Sequence, residues 1–277
     1  MAALQSARIR RWSADPHTCQ QKIFQKLLQE GCKTSFGKEH GFEIIKSLSD
    51  FRNQVPLRDY EGFTGYIERV AQGYRDVLWP GLPLYFAKSS GTTSGVKYIP
   101  ITSDSLPNHL NSARDALFMY IQASGNASFS DYKMIFLQGS PVLDKHGSIP
   151  SGRLSGIVAN HVPLYLLKNR LPSYATNCIK DWETKLDVIV TETLPQRMSL
   201  ISGIPPWIKM YFEKLVAVAG KPVGEIFPDF SLFVFGGVNS EPYKASFNHL
   251  IWKEIDSVEV YPASEGFIAY QDTQPFE

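Results

Sequence analysis

The stretch Phe86-Ala-Lys-Ser-Ser-Gly-Thr-Thr-Ser-Gly-Val-Lys-Tyr-Ile-Pro100 decides how this chain is read. Every residue from Lys88 to Gly95 is Ser, Thr, Gly or Lys, and apolar residues stand on both sides, Leu84 to Phe86 before and Tyr98, Ile99 and Ile101 after. The pattern predicts strand, flexible loop, strand. Such a loop offers uncrowded backbone N–H groups, several hydroxyls and the ammonium groups of Lys88 and Lys97, an inventory that suits a polyphosphate. It is not a Walker loop, which needs a longer gap between its glycines, a Gly-Lys-Ser/Thr run and then a helix. Gly91 and Gly95 enclose only Thr92-Thr93-Ser94, Val96 precedes Lys97, and Pro100 blocks an immediate helix. No Rossmann fingerprint is present either. Taken alone, the stretch reads equally as a mobile surface turn.

Composition narrows the field. The 277 residues are 43% apolar and 13% aromatic, enough to build a sizeable core. The 28 basic and 27 acidic residues nearly cancel, and no basic stripe carries interleaved aromatics, so nucleic acid is not an expected partner. Apolar runs such as Leu232–Phe235 are too short to cross a bilayer, and the basic N-terminus (Arg8, Arg10, Arg11) lacks the apolar region of a secretory signal. Cys19, Cys32 and Cys178 have no metal-site spacing and read as free thiols in a reducing cytosol. The six histidines form no His-x-x-x-His or Cys/His cluster. There is no Gly-x-Ser-x-Gly elbow of a serine hydrolase.

Periodicity predicts a helix over Thr18–Leu28 with Ile23, Phe24, Leu27 and Leu28 on one face. A second is expected after Asp59, carrying Tyr60, Phe63, Ile67 and Val70, and weakened by Gly62 and Gly65. A third spans Asp104–Gln122 with a stripe of Leu110, Ala113, Leu117 and Ile121. Lys133–Leu137 reads as a strand, Gln138–Asn160 as a loop region, and Lys180–Thr193 as helix or mixed structure. Pro205–Ala219 reads as a helix opened by prolines and closed by Gly220. Phe230–Phe235, Val258–Tyr261 and Phe267–Tyr270 are expected strands. Helices alternating with short apolar strands predict an α/β domain on a largely parallel sheet.

In an open α/β sheet, ligands sit outside the carboxyl ends of the strands. Three segments hold such positions: Ser89–Lys97, Gly236–Glu241 after the strand ending at Phe235, and Tyr261–Gly266 after the strand ending at Val260. Glycine lets backbone approach a flat ring, Tyr261 offers an aromatic face, and Glu265 offers a hard oxygen suited to Mg²⁺ carried on phosphate. Each segment alone is equally a turn, a cap or a solvated charge.

Together these residues resemble the N-terminal part of an acyl-acid amido synthetase of the Gretchen Hagen (auxin-responsive) family, within the firefly-luciferase-like adenylate-forming enzymes. The resemblance runs through nearly the whole chain. It is carried by Phe51-Arg-Asn-Gln-Val-Pro-Leu-Arg-Asp-Tyr60, Leu78-Trp-Pro80, Ser89-Ser-Gly-Thr-Thr-Ser-Gly95, Ile201-Ser-Gly-Ile-Pro-Pro-Trp207, Phe235-Gly-Gly-Val238 with Glu241-Pro-Tyr243, and Tyr261-Pro-Ala-Ser-Glu265. Pro262 stands where members vary.

The resemblance implies a cytoplasmic, ATP-dependent ligase. A carboxylic acid is activated as an acyl-adenylate and then joined to an amino acid. A carboxylate–CoA ligase of the same superfamily and a truncated, non-catalytic nucleotide-binding remnant are the alternatives. By the same resemblance Ser89, Ser90, Gly91, Thr92 and Thr93 hold phosphates, and Lys97 steers pyrophosphate. Gly237 and Val238 lie between the adenine and the acyl pocket, and Tyr261, Ala263 and Ser264 border adenine and the α-phosphate. Glu265 positions Mg²⁺, and Thr93, Lys97 and Glu265 are the expected catalytic residues. The acid pocket is expected from Gln138–Asn160 and the helix after Ile204. A Tyr-Arg-x-Gly-Asp type segment, which in the family holds the ribose, is not found. Residues 1–277 are therefore read as an incomplete N-terminal adenylation domain with the mobile C-terminal domain missing.

Overall fold

The computed structural model describes residues 1–90, 95–162 and 167–272. The strands, in chain order, are β1 (Tyr85–Ser90), β2 (Val96–Ile101), β3 (Lys133–Leu137), β4 (Asp144–His146), β5 (Ile149–Gly152), β6 (Arg170–Leu171), β7 (Met198–Gly203), β8 (Leu232–Gly236), β9 (Asp256–Ala263) and β10 (Gly266–Tyr270). The chain divides into two compact units. One holds 4–107 and 143–152, and the other 108–142 and 153–277 with the first three residues.

In the unit built from 4–107 and 143–152, the four-stranded sheet runs β2-β1-β5-β4. The glycine- and hydroxyl-rich stretch is flanked by strands as expected: β1 and β2 pair antiparallel, with Lys88 opposite Tyr98, Ser89 opposite Lys97 and Ser90 opposite Val96. The sheet departs from the expectation of parallel strands. Only β1 and β5 run parallel, and β4 and β5 form a second antiparallel pair. These two short strands, with the helix Leu154–Ala159, lie in the segment expected to be loop. Their Gly, Ser and Pro content conceals them, because each is too short for a periodic signal.

The helix expected over Thr18–Leu28 spans Pro16–Gly31, following a helix over Ala2–Ser13, with Asp15 accepting from the Thr18 N–H at 3.2 Å and proline in the first turn. The expected stripe is rotated. Leu28 and Gly31 are buried, whereas Ile23 and Leu27 are 59% and 49% exposed. Asp59 caps as predicted, accepting from Gly62 N–H at 3.0 Å. The element it opens is a 3₁₀ turn, Glu61–Phe63, that becomes α-helical only at Thr64–Ala71. Two glycines in quick succession weaken the first turn, and tertiary packing supplies the rest. Ile67, Val70, Val77, Phe86 and Ile149 form the core of this unit.

The other unit carries a six-stranded sheet, β10-β9-β8-β7-β3-β6, parallel from β9 to β6 with β10 antiparallel at the edge. Both faces are buried, so successive residues of one strand enter different cores. Ile135, Ile201 and Phe233 pack with Ile208, Tyr211, Phe212, Leu215 and Phe247. Their chain neighbours Met134, Leu200 and Leu232 pack with Val258, Ala116, Tyr120 and Phe129. The helix Pro205–Ala219 has the predicted bounds, and Gly220 closes it at φ 66°. Trp182–Thr193 is fully helical, with the Asp181 carboxylate accepting from Thr184 N–H at 2.8 Å. Leu106–Ser124 replaces the expected Asp104–Gln122. Its buried positions include His109, Ala116 and Tyr120, while Ala113 faces solvent. The Tyr120 hydroxyl donates to Asp256 at 2.7 Å, which turns this face toward β9, and burial pushes its pKa up to about 12. The two predicted terminal strands are one hairpin, β9–β10, with a register shift between Phe267 and Ala269.

One buried charge was not legible. Lys185 is 4% exposed, and its Nζ donates to the carbonyls of Gln138 and Asn177 at 3.2 and 3.1 Å. Burial holds its ammonium below the ordinary lysine value. Between that lowered value and the unfolded value near 10.4, the unfolded chain binds more protons, so this group makes stability rise with pH. We expect the urea midpoint of the parent to gain on that of Lys185→Met as pH rises toward the ordinary lysine value of about 10.4. Parallel pH profiles for the two proteins would refute this.

Candidate functional site

The parallel strands of the larger sheet end nearly level. Leu137 pairs with Gly203, Gly203 with Phe235, and Gly236 with Val260. β9 does not stop there. It continues through Tyr261, Pro262 and Ala263, turns at Ser264-Glu265 and returns as β10, so the hairpin overhangs the carboxyl edge of the sheet. This corrects the third segment: Tyr261 to Ala263 are strand, not loop, and the reversal is confined to Ser264 and Glu265. Paired apolar flanks drive the extension.

Beside the overhang, β8 gives way to Gly237, whose φ of +85° needs glycine. At Gly236 the constraint is space. A Cβ there would lie 1.9 Å from the Val260 carbonyl oxygen. The Asn239 side-chain oxygen then accepts from Glu241 N–H at 3.0 Å and starts the turn toward the helix Lys244–Ile251.

The retreat of 237–239 and the overhang of β9–β10 enclose an open cavity of about 620 Å³. It is lined by Gly237, Val238, Asn239, Glu259, Val260, Tyr261, Ala269, Tyr270 and Gln271. Thus Gly237, Val238 and Tyr261, predicted from separate segments, meet in one place. Tyr261 is 58% exposed, leaving ring surface available for stacking. Glu259 is the charged residue of this lining, and no Lys or Arg joins it. An apolar, aromatic and uncharged-polar wall suits a flat heterocycle, not a phosphate chain.

Glu259, Asn239, Tyr270 and Gln271 were not singled out individually. Alternation along β9 could have found Glu259, which shares the face of Tyr261, while Val258 turns into the core and Val260 packs against it at the cavity's edge. Ala263, Ser264 and Glu265 lie beyond this lining, at the far end of the hairpin. Glu265 is exposed and, among the described residues, makes no hydrogen bond or ion pair. No group of three or more His, Cys, Asp or Glu among the described residues could hold a metal ion.

The hydroxyl-rich hairpin belongs to the other unit. Of its predicted phosphate ligands, Gly91, Thr92 and Thr93 lie outside the described residues; Ser89 and Ser90 end β1, and Lys97 stands in β2 opposite Ser89. The two lysines are not equivalent. Lys88 Nζ is 2.5 Å from Asp144 Oδ2, so its charge is already met. Asp144 escaped notice because it sits in the segment read as loop. Lys97 has no carboxylate within ion-pair distance among the described residues; its Nζ lies 5.6 Å from the centre of the Tyr60 ring.

Comparison with known proteins places this geometry. The family described as GH3 family N-terminal domain matches residues 5–173. The chain belongs to the GH3 family. Among curated relatives, this GH3 chain is 28% identical over 86 residues to indole-3-acetic acid-amido synthetase GH3.3 of Arabidopsis thaliana, covering 31% of the chain and 14% of that protein. It is 28% identical over 92 residues to jasmonoyl–L-amino acid synthetase JAR4 of Nicotiana attenuata, covering 32% of the chain and 16% of that protein. The solved GH3.15 acyl acid amido synthetase superposes on 96% of the chain with a TM-score of 0.74 at 12% identity. The chain spans 57% of that protein. An open 2-hydroxyisobutyryl-CoA ligase superposes on 91% of the chain and 54% of its own, with a TM-score of 0.54 at 11% identity. These likenesses show that the chain shares the fold of these two enzymes. Among the described residues no helix is long and apolar enough to cross a membrane, and Cys19, Cys32 and Cys178 are free.

The close approach at Gly236 gives a direct check. Gly236→Ala should lower the unfolding midpoint by an amount equivalent to about 2–4 kcal/mol, because a backbone oxygen must move. Gly266→Ala, where an added methyl meets nothing within 4 Å, should change it little. Equal midpoints for the two variants would contradict the β8–β9 pairing described.

Proposed function

We propose that this GH3 chain contributes the nucleotide-binding part of an ATP-dependent acyl-acid amido synthetase. The observation that carries the reading is the meeting of Gly237, Val238 and Tyr261 in one cavity at the carboxyl edge of a parallel sheet. Family membership supports it, as do the names of two relatives, an indole-3-acetic acid-amido synthetase and a jasmonoyl–L-amino acid synthetase. Residues 1–277 act as an adenylation domain in this proposal.

The chemistry accounts for the parts. A carboxylate is a poor electrophile, so its oxygen first attacks the α-phosphorus of ATP. The new P–O bond forms as the bond to the β-phosphate oxygen breaks, and pyrophosphate leaves. An amino group then attacks the acyl carbon, AMP departs, and the nitrogen loses a proton to give the amide. Tyr261 and Gly237–Val238 would hold the adenine. Ala263 and Ser264, further along the hairpin, would flank the α-phosphate. Ser89, Ser90, Gly91, Thr92 and Thr93 would supply donors to the phosphates, with Lys97 beside the departing pyrophosphate.

A lone exposed carboxylate with no competing partner fits Mg²⁺, which is commonly held by one or two carboxylates and the substrate's phosphates. Glu265 is that carboxylate, and Mg²⁺ when bound neutralises phosphate charge. A reducing cytoplasm suits the free thiols. The likeness to the CoA ligase keeps a second reading: the same adenylation, with a thiol in place of the amine as acceptor.

The test is ATP–pyrophosphate exchange over a panel of carboxylic acids, followed by an acceptor screen with amino acids and CoA. A charge-assisted phosphate contact is worth about 1.5–3 kcal/mol. Thr93→Ala and Glu265→Gln should therefore each slow exchange by roughly tenfold to a hundredfold. Exchange at the parental rate in both variants would remove these residues from the site.

A further inference from the structure

The segment Pro56-Leu-Arg-Asp-Tyr60 carried part of the family resemblance, yet nothing in the proposed chemistry uses it. Its side chains are anchored in the same unit as the hydroxyl-rich hairpin. The Arg58 guanidinium lies over the Phe36 ring at 5.5 Å and donates toward His40 Nε2 at 2.9 Å. Asp59 caps the next turn through Gly62 N–H. Between them these contacts fix the backbone that carries Tyr60.

Tyr60 reaches the hairpin in two ways. Its hydroxyl oxygen accepts the Tyr98 N–H at 2.7 Å, and its ring lies beneath the Lys97 ammonium at 5.6 Å. β2 is an edge strand, so the outward N–H of Tyr98 would otherwise face no strand. The opposite side of the strand is braced as well. The Tyr98 ring stacks on His146 at 3.9 Å with an 8° interplanar angle, and His146 Nε2 is 3.3 Å from Glu68 Oε1. Lys97 thus projects from a strand held on its edge and on its face, directly opposite Ser89.

A ring and a carboxylate hold an ammonium differently. Lys88, paired with Asp144, would have to break an ion pair before serving a ligand. Lys97 over Tyr60 meets no carboxylate within ion-pair distance among the described residues, loses part of its rotamer freedom in advance, and is bound weakly enough to release to a stronger anion. We propose that Tyr60 is a positioning residue: it fixes the edge of the phosphate hairpin and holds the Lys97 ammonium ready for the β,γ-phosphates. This rests on the nucleotide-binding reading above.

The test compares Mg²⁺–ATP with AMP, which lacks those phosphates, by titration calorimetry on the 277-residue chain and its Tyr60→Phe, Tyr60→Leu, Lys97→Met and doubly substituted variants. Tyr60→Leu should weaken ATP about threefold to fivefold and leave AMP unchanged. Tyr60→Phe, which keeps the ring, should restore ATP affinity. In the Lys97→Met background Tyr60→Leu should add nothing. Hydrogen exchange at the Tyr98 amide should quicken about threefold to tenfold in Tyr60→Phe, a variant that keeps the packing. Equal losses for ATP and AMP, or a Tyr60→Leu effect that persists without Lys97, would overturn the positioning role alone. Unchanged Tyr98 exchange would overturn the edge contact. A parent chain that takes up neither nucleotide would overturn the functional reading and this inference with it.

Discussion

The larger unit depends on how closely β8 approaches β9. At Gly236 no side chain fits between the strands, because the Val260 carbonyl already fills the place of a Cβ. That approach brings the end of β8 beside the middle of β9. It lets β9 run on past the sheet edge while Gly237, at positive φ, turns the chain away. The cavity is the space between these departures. It is a product of backbone path first and of side-chain choice second, which is why glycine and a continuous strand matter more to its existence than any polar group on its wall.

The division of charge follows a similar economy. The cavity lining has a carboxylate and no cation, while the hydroxyl-rich hairpin in the other unit carries Lys88 and Lys97. Asp144 neutralises one of these lysines, and the other rests on an aromatic face. A sequence shows both lysines as equal; only the partners distinguish a structural cation from an available one. Lys185 makes the same point from the interior, where two carbonyls, not a carboxylate, accept its hydrogen bonds.

Much of the fold was legible because long apolar periodicities and strong punctuation agree. Pro205 and Gly220 bracket a helix whose bounds needed no correction. Lys133–Leu137 is apolar enough to be recognised as strand from composition. The failures have physical causes. β4 and β5 are short and punctuated by Gly147 and Pro150, so local signals favour a turn that pairing with β1 overrides. The stripe on Pro16–Gly31 was misplaced because apolar residues also occupy its exposed face. The site was partly legible: Gly-Gly-Val and Tyr261 could be placed at strand ends, but the overhanging hairpin could not, since Ser264-Glu265 carries no glycine or asparagine to announce so tight a reversal. Glu259 was hidden in a run that reads as simple strand.

The alternation along β9 has a further consequence. Val258 is buried in the core beside Tyr120, Val260 packs against that core while also edging the cavity, and Glu259 and Tyr261 face the cavity. Positions 258 and 259 therefore answer to separate selective pressures. Exchanges at 259 and 261 can retune what the pocket accepts without disturbing Val258 beneath. Inserting or deleting one residue would instead invert the strand, sending the acid inward and the valines outward. This strand can diversify by substitution and is closed to change in length.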